Sequence, residues 1–342
     1  MKSFGFPLET VAIFIVVVMV SVYLDLAAHR KTKEITLGDA ARWAVFWVGL
    51  ALCFYAYLWL RFDKGAADLY LAGYALEKSL SIDNLMVFIA VFASFGIKSH
   101  LQHRILYWGI IGALVFRAIF VLIGTSLFLA SPWVGFIFAA FVAWSAIQML
   151  RGGGNDKEIE DYSHHWSVRL TGRLMPIYTR LSGDRFFLRH KELAEGNPAG
   201  KSVTKSGTLY ATPAFLCLMV IETSDIAFSF DSVPAVISVT QEPLLVYAAM
   251  IFAILGLRTL YFVIAALNRY LAHLGKAVIV LLFFIAAKMA LQSWSHVFGD
   301  TGIHISPGQS LLVVLGTLLL GIIASLVFPE KKKETALPAE DD

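Results

Sequence analysis

Five acidic residues lie inside segments of this chain that are otherwise apolar, and their chemistry needs an explanation. They are Glu77, Asp83, Glu222, Asp225 and Asp231. An ionised side chain at the centre of a bilayer costs about 2.5–3.5 kcal/mol on insertion scales. Acids retained there must be paired, hydrated or bound to a ligand, and such residues often mark an ion or proton pathway.

Basic residues in similar apolar segments offer one explanation, because they can act as charge partners for the acids. They are Lys78, Arg117, Arg258 and Lys288. In this interpretation the charges are structural, and Arg117 and Arg258 anchor pairs of helices. Pairing alone is a weak reason to keep charges in lipid, so we favour a site that also binds a ligand.

Hydroxyl and amide side chains accompany the acids at helical spacing. On ideal helices, one face carries Glu77, Ser81 and Asn84, and another carries Glu222, Asp225, Ser229 and Ser232. All these groups are oxygen ligands, which suit Mg²⁺, Ca²⁺ and Mn²⁺ better than zinc or copper. The sequence predicts a metal site formed by Glu77, Asp83, Asn84, Glu222, Asp225 and Asp231, with Ser81, Ser229 and Ser232 as supporting polar groups.

The same spacing places Asp83 and Asp231 away from those helix faces. Either the helices unwind near the two Asp residues, or the two side chains face different partners. Pro234 follows Asp231 by three residues and lacks a backbone donor, which favours local disruption. We therefore expect the two segments that hold these residues to be broken or re-entrant.

Nine segments are apolar enough to be transmembrane helices, since a crossing needs about 20 such residues. They are approximately 7–28, 39–60, 66–95, 105–129, 132–150, 208–237, 243–267, 275–292 and 309–328. Only 15% of the residues are charged and the mean hydropathy is +0.70, whereas soluble proteins carry about 25% charged residues. The basic residues form no surface typical of nucleic-acid binding. We predict an all-α, polytopic protein of the lipid bilayer, with no permanently bound cofactor.

Lys and Arg are concentrated in alternate loops, which predicts the orientation of the chain. The loops after the first, third and seventh spans contain Arg30, Lys98 and Arg269, and the C-terminal tail contains Lys331. The N-terminus is therefore predicted outside and the C-terminus in the cytoplasm.

Polar landmarks recur in order in two parts of the chain. Ser-Ile-Asp-Asn at 81–84 resembles Ser-Phe-Asp-Ser at 229–232. In the spans that follow, Arg117 matches Arg258 and Gln148 matches Lys288. Three helices per unit is an odd number, so the second unit must enter the membrane from the opposite side. Two inverted three-helix repeats of this kind place a substrate site where they meet, near the bilayer midplane.

These features divide the chain into five predicted parts. They are two N-terminal helices (1–65), the first repeat (66–150), a cytoplasmic loop (151–207), the second repeat (208–292), and a last helix with a charged tail (293–342).

Four motifs resemble the TerC family of integral membrane proteins, and in particular its Alx-type manganese exporters. They are Glu-Lys-Ser-Leu-Ser-Ile-Asp-Asn at 77–84, Glu-Thr-Ser-Asp-Ile-Ala-Phe-Ser-Phe-Asp-Ser-Val-Pro-Ala at 222–235, Leu-Tyr-Ala-Thr-Pro at 209–213 and Phe-Ala-Ile-Leu-Gly-Leu-Arg at 252–258. The resemblance implies a bacterial inner-membrane protein that lowers cytoplasmic Mn²⁺, in a family also linked to tellurite resistance. It implies that the five buried acids are the family's membrane acids. Gln148 departs from the family pattern, because relatives tend to carry Lys there.

Three functions compete at this stage. The leading hypothesis is a secondary transporter that exports Mn²⁺ and exchanges it for protons, since the chain has no nucleotide-binding motif. An intramembrane enzyme that uses the Asp pair is an alternative, but the Gly-x-Gly-Asp motif of intramembrane aspartyl proteases is absent. The other alternative is a membrane-protein assembly or insertion factor acting through the cytoplasmic loop. We predict that the protein is not an enzyme.

Overall fold

A computed structural model describes residues 6–28, 37–152, 165–178, 185–189, 209–267, 274–299 and 305–327. Within these ranges the description leaves out the side chain of Asp83 and the side chains at positions 25–28, 37, 99–100, 132, 152, 266–267 and 274. The described residues form an all-α structure, as predicted, and its helices are α1 (Leu8–Ala28), α2 (Leu37–Arg61), α3 (Lys64–Ser94), α4 (Ser99–Ala130), α5 (Pro132–Gly152), α6 (Trp166–Leu174), α7 (Pro213–Thr240), α8 (Pro243–Ile254), α9 (Leu257–Leu267), α10 (Leu274–Phe298) and α11 (Pro307–Val327). Two short antiparallel strands, β1 (Phe187–Arg189) and β2 (Leu209–Ala211), pair with Leu188 opposite Tyr210.

Six of the described helices are long and apolar enough to cross a membrane, namely α2, α4, α5, α7, α10 and α11. The pair α8 and α9 adds a seventh span if it is counted as one segment bent by 48°. The sequence predicted nine. The side chains of α1 are described only as far as Leu24, which leaves a shorter apolar helix over Leu8–Leu24, and α3 has 31 residues but includes charged ones such as Glu77 and Lys78. By length and composition, the described residues therefore form a polytopic helical bundle with six or seven candidate spans.

The expectation that the third and sixth spans are broken was wrong. Both α3 and α7 are continuous helices, and α7 passes through Pro234 without a break. Every residue of α7 from Ser232 to Thr240 is buried, so packing against neighbouring helices holds the helix despite the missing donor. Proline is tolerated in membrane helices for this reason.

The break lies instead in the segment 243–267, which the sequence predicted as one span. There α8 ends at Ile254 and α9 begins at Leu257, with Gly256 in the left-handed region at φ 77°. A Cβ at this position would also collide with the indole ring of Trp47. The conformation and the space both require glycine at position 256.

The helix α3 occupies the centre of the bundle and packs against α2, α7, α8 and α11. Around it, α4 packs against α7 and α5 packs against α10. Close approach of α4 and α7 depends on Gly124, where a Cβ would lie 3.1 Å from Ile237 and 3.2 Å from Val233. The helix α8 is largely enclosed by its neighbours, with nine of its 12 residues buried. This arrangement brings α3, α4 and α7 together in the middle of the bundle.

Candidate cation site

Arg117 of α4 lies between two acids of neighbouring helices. Its guanidinium forms an ion pair with the carboxylate of Glu77 on α3, and its Nη2 atom donates to Asp225 Oδ1 on α7 at 2.9 Å. The three residues are buried, with exposed fractions of 0% for Glu77, 2% for Arg117 and 5% for Asp225. Glu77 and Asp225, which match in the two predicted repeats because each lies six residues before the Asp of the repeated motif, therefore share one basic partner.

The charges of this group do not balance. Two carboxylates and one guanidinium carry a net negative charge when all are ionised, and burial raises the cost of that excess. Arg117 also pairs through a planar fork of donors, which suits simultaneous contact with two carboxylates. A further positive charge or a proton would stabilise the group.

Glu222 lies beside this group, on α7 and one turn before Asp225, whose negative charge it faces. Its carboxylate rests against the backbone of α4 at Gly112, where a Cβ would collide with both carboxylate oxygens. Gly112 thus provides the space in which the Glu222 side chain is held.

Asp231 is the last of the predicted site acids whose side chain the structure describes. Its carboxylate is half-buried. It is attracted by the positive charge of Arg117 and interacts with the Ser145 side chain of α5. Sequence reasoning missed Ser145, because a single serine in an apolar helix is too common to indicate a site. The interaction places α5 at the edge of the acid cluster, which we define as Glu77, Glu222, Asp225 and Asp231 around Arg117.

The predicted supporting groups have different positions. Ser229 Oγ donates to the backbone oxygen of Asp225 at 2.8 Å, so it bonds within its own helix. The hydroxyls of Ser81 and Ser232 and the amide nitrogen of Asn84 are buried without a hydrogen-bond partner in the part of the chain that the structure describes. These three groups are available to a ligand or to water.

The other predicted charge partners contact backbone. Lys78 Nζ donates to the carbonyls of Ala253 at 3.0 Å and Leu255 at 3.4 Å, at the break between α8 and α9. Lys288 Nζ donates to the carbonyl of Val239 at 3.3 Å, at the end of α7. The prediction that Lys288 neutralises an acid therefore has no support among the described residues. Its ammonium donates instead to a carbonyl in the last turn of α7, where carbonyl groups lack a donor within the helix.

Arg258, the match of Arg117, is buried with an exposed fraction of 2%. Together with Asp225 it lines a cavity of about 20 Å³ whose other walls are apolar residues of α3, α4, α7 and α9. This volume is about that of one water molecule, so the cavity offers room for a single small ligand beside the acid cluster.

The geometry does not present a ready metal cage. Among the described residues, no three His, Cys, Asp or Glu side chains converge closely enough to hold a metal ion. The Asp83 side chain lies outside the described residues, so its predicted role as a ligand stays a prediction. Where two acids do converge, the guanidinium of Arg117 lies between them.

The model of the integral membrane protein TerC family matches residues 62–333 of this chain. The chain belongs to the TerC family.

Two relatives show how similar this chain is to other members of the TerC family. The tellurium resistance protein TerC of Serratia marcescens is 53% identical over 333 residues, which cover 96% of each chain. The putative membrane-bound redox modulator Alx of Escherichia coli (strain K12) is 33% identical over 333 residues, covering 94% of this chain and 95% of that one. The motifs suggested the Alx type, but the likeness to the tellurium resistance protein is greater. No solved structure matches the chain.

In this TerC-family protein, the described residues place four of the five membrane acids within one electrostatic group on α3 and α7. Arg117 is the basic residue at the centre of that group. Ser145 interacts with Asp231, and Gly112 leaves the space that the Glu222 carboxylate occupies. Carboxylates in this arrangement can bind a cation if the Arg117 guanidinium moves aside. A carboxylate that has no basic partner can hold a proton.

Proposed function

We propose that this multi-pass TerC-family protein is a secondary transporter that exports a hard divalent cation, with Mn²⁺ as the substrate. The observation that carries the proposal is the shared contact of Glu77 and Asp225 with Arg117, deep in the bundle. Two carboxylates from different helices, kept at such cost inside a membrane protein, are the arrangement expected of an ion pathway.

In this proposal Arg117 is a tethered cation that occupies the substrate position between Glu77 and Asp225. A divalent ion takes that position when the guanidinium moves aside, and its second charge neutralises the group more fully than Arg117 does. Glu222, held against Gly112 beside Asp225, carries the counter-transported proton. Exchange of metal for arginine and proton would couple outward metal movement to inward proton movement.

The packing of the helices supports two inverted repeats meeting at this site. The first helix of each unit, α3 and α7, contacts the other, and each also contacts the second helix of the opposite unit. The third helices, α5 and α10, pack against each other as well. A two-fold axis in the membrane plane produces reciprocal contacts of this kind.

The name of the Serratia relative points to tellurium, which suggests an oxyanion as a second class of substrate. Arg117 is the natural group for binding an anion. However, its guanidinium lies between two carboxylates, and the surrounding acids would repel an oxyanion. A cation fits the charge of this site better.

The cell location follows from the same proposal. We place the protein in the bacterial inner membrane, with the N-terminus outside and the C-terminus in the cytoplasm, as the loop charges predict. It acts without a resident cofactor and catalyses no chemical reaction. If deletions within 155–200 abolished function while variants of the acids retained it, the assembly-factor hypothesis would replace transport.

Transport by the purified full-length chain in proteoliposomes tests the proposal. We expect uptake of Mn²⁺ to exceed that of Ca²⁺, Mg²⁺ and Zn²⁺ and to respond to an imposed pH gradient. Asp225→Asn should reduce the rate at least tenfold. Asp68→Asn is the matched control, because Asp68 is a buried acid of α3 that pairs instead with Lys64 at 2.8 Å. Equal rates for these two variants, or no uptake of any divalent ion, would refute the proposal.

A further inference from the structure

The two predicted repeats differ in the continuity of their second span, and the acid cluster does not explain this difference. In the match that aligns Arg117 with Arg258, the break at Leu255–Gly256 corresponds to Leu114–Val115. The helix α4 runs through those two residues without interruption. The second span of the second unit is therefore broken where its counterpart is continuous.

A second departure from the repeat lies in α3. Lys78 follows Glu77, but the residue that follows the matched Asp225 is Ile226. Only the first unit thus has a basic residue at this position. The two departures are in contact, because the Lys78 ammonium donates to the carbonyls of Ala253 and Leu255 at the break.

The chemistry of this contact is that of a cation site. The last carbonyls of a helix have no partner within the helix, and the helix dipole gives this end a partial negative charge. The half-helix α8 ends in a buried environment, where Ala253, Ile254 and Leu255 have exposed fractions of at most 1%. Unpaired carbonyls would be costly there, and in transporters such half-helix ends coordinate cations.

We propose that the carbonyl oxygens at the α8–α9 break form a second cation site, that Lys78 is its resident cation, and that this contact holds the bend of the span. Lys78 is a positioning residue in this role, since it acts on the helix and not on a substrate. Its neighbour Glu77 contacts Arg117, so a single turn of α3 touches both the acid cluster and the bend. The inference concerns the conformation of the span and stands without any assumption about the transported ion.

The experiment measures the bend directly and restores the cation chemically. Spin labels at the exposed positions 242 and 265, in a Cys53→Ser, Cys217→Ala background, report the distance across α8 and α9. In Lys78→Ala we expect a broader distribution and a mean lengthened by up to about 3 Å, the change from straightening two helices of this length. Millimolar n-propylammonium, which replaces the atoms that Ala lacks, should return the distance to that of the unmutated chain.

Two further variants make the result specific. Lys288→Ala is the matched control, because it removes a buried lysine that donates to the end of a different helix, and it should leave the distance unchanged. If Lys78→Ala does not fold, Lys78→Met keeps the volume of the side chain without its charge and should lengthen the distance without rescue. An unchanged distance in the variant that folds, an equal change in Lys288→Ala, or a failure of propylammonium to restore Lys78→Ala would overturn the inference.

Discussion

The carboxylate of Glu222 lies against Gly112, a position where any Cβ would collide with both of its oxygens. The contact joins α7 to α4 one turn from the Asp225–Arg117 ion pair. A glycine of α4 thus determines where an acid of α7 can lie, although the two residues are far apart in the sequence.

Gly112→Ala should displace Glu222 and impair transport. The added methyl group occupies the place of the carboxylate, so the side chain must leave the acid cluster or the helices must separate. Overpacking of this kind typically costs about 1–3 kcal/mol. Thermal unfolding in detergent and Mn²⁺ uptake in proteoliposomes measure the two effects.

Gly109→Ala provides the control for this prediction. It lies on the same helix, and its Cβ would make an ordinary contact with Ile221 at 3.5 Å. We expect this variant to be as stable and active as the unmutated protein. Equal loss in both variants would show that the space at Gly112 has no special role.

Arg117→Met should destabilise the protein strongly. It leaves the buried carboxylates of Glu77 and Asp225 without their shared partner, and breaking a buried pair in this way costs about 3–5 kcal/mol. Adding Asp225→Asn to Arg117→Met should recover part of the loss, because one uncompensated charge is removed. Unfolding free energies from a double-mutant cycle measure the coupling.

Additive effects of the two substitutions would contradict this prediction. If the losses of Arg117→Met and Asp225→Asn simply added, the two residues would not interact energetically, and the ion pair could not act as a tethered substitute for a metal.

Glu222→Gln should weaken the pH dependence of Mn²⁺ binding more than the binding itself. Metal ions bind the deprotonated carboxylate, so apparent affinity rises with pH while any nearby acid still carries a proton. If Glu222 is that acid, the glutamine variant binds almost equally between about pH 5 and pH 8. Titration calorimetry at three pH values measures this slope, and an unchanged slope would assign the proton to another group.

The orientation of the chain gives a separate prediction. Residues 164 and 342 should lie in the cytoplasm, and residues 2 and 300 outside, because Lys and Arg are concentrated in alternate loops. Cysteine labelling with a membrane-impermeant reagent in intact cells should reach only the latter two. Labelling at residue 164 would contradict the predicted orientation.

The acids of the site could be found from sequence because each is an exception to its surroundings. A charged residue such as Glu77 or Asp225 in an apolar helix needs an explanation, and periodicity assigns it to a helix face. Their common contact with Arg117 needed the structure, since 108 residues separate Arg117 from Asp225. The sequence signals the cost of a buried charge, but its partner is a matter of tertiary packing.

The bend at Gly256, in contrast, was not predicted from the sequence. One glycine between leucines is common in apolar helices and is a weak sign of a break, whereas Pro234 is a strong sign and proved misleading. The residues that pack around each position explain why the helix breaks at Gly256 and continues through Pro234. Lys78 supplies donors to the carbonyls at the break, and buried surroundings support α7 around its proline.

The enclosure of α8 affects how the protein responds to its membrane. A helix of 12 residues is about 18 Å long, well short of the ~30 Å thickness of the hydrocarbon layer. Because protein surrounds it, lipids do not have to thin around this short helix. Hydrophobic mismatch acts on peripheral helices such as α11, whose 21 residues include many exposed apolar side chains. The centre of the bundle should therefore keep its geometry in thin and thick bilayers alike, with tilting of the outer helices accommodating the difference.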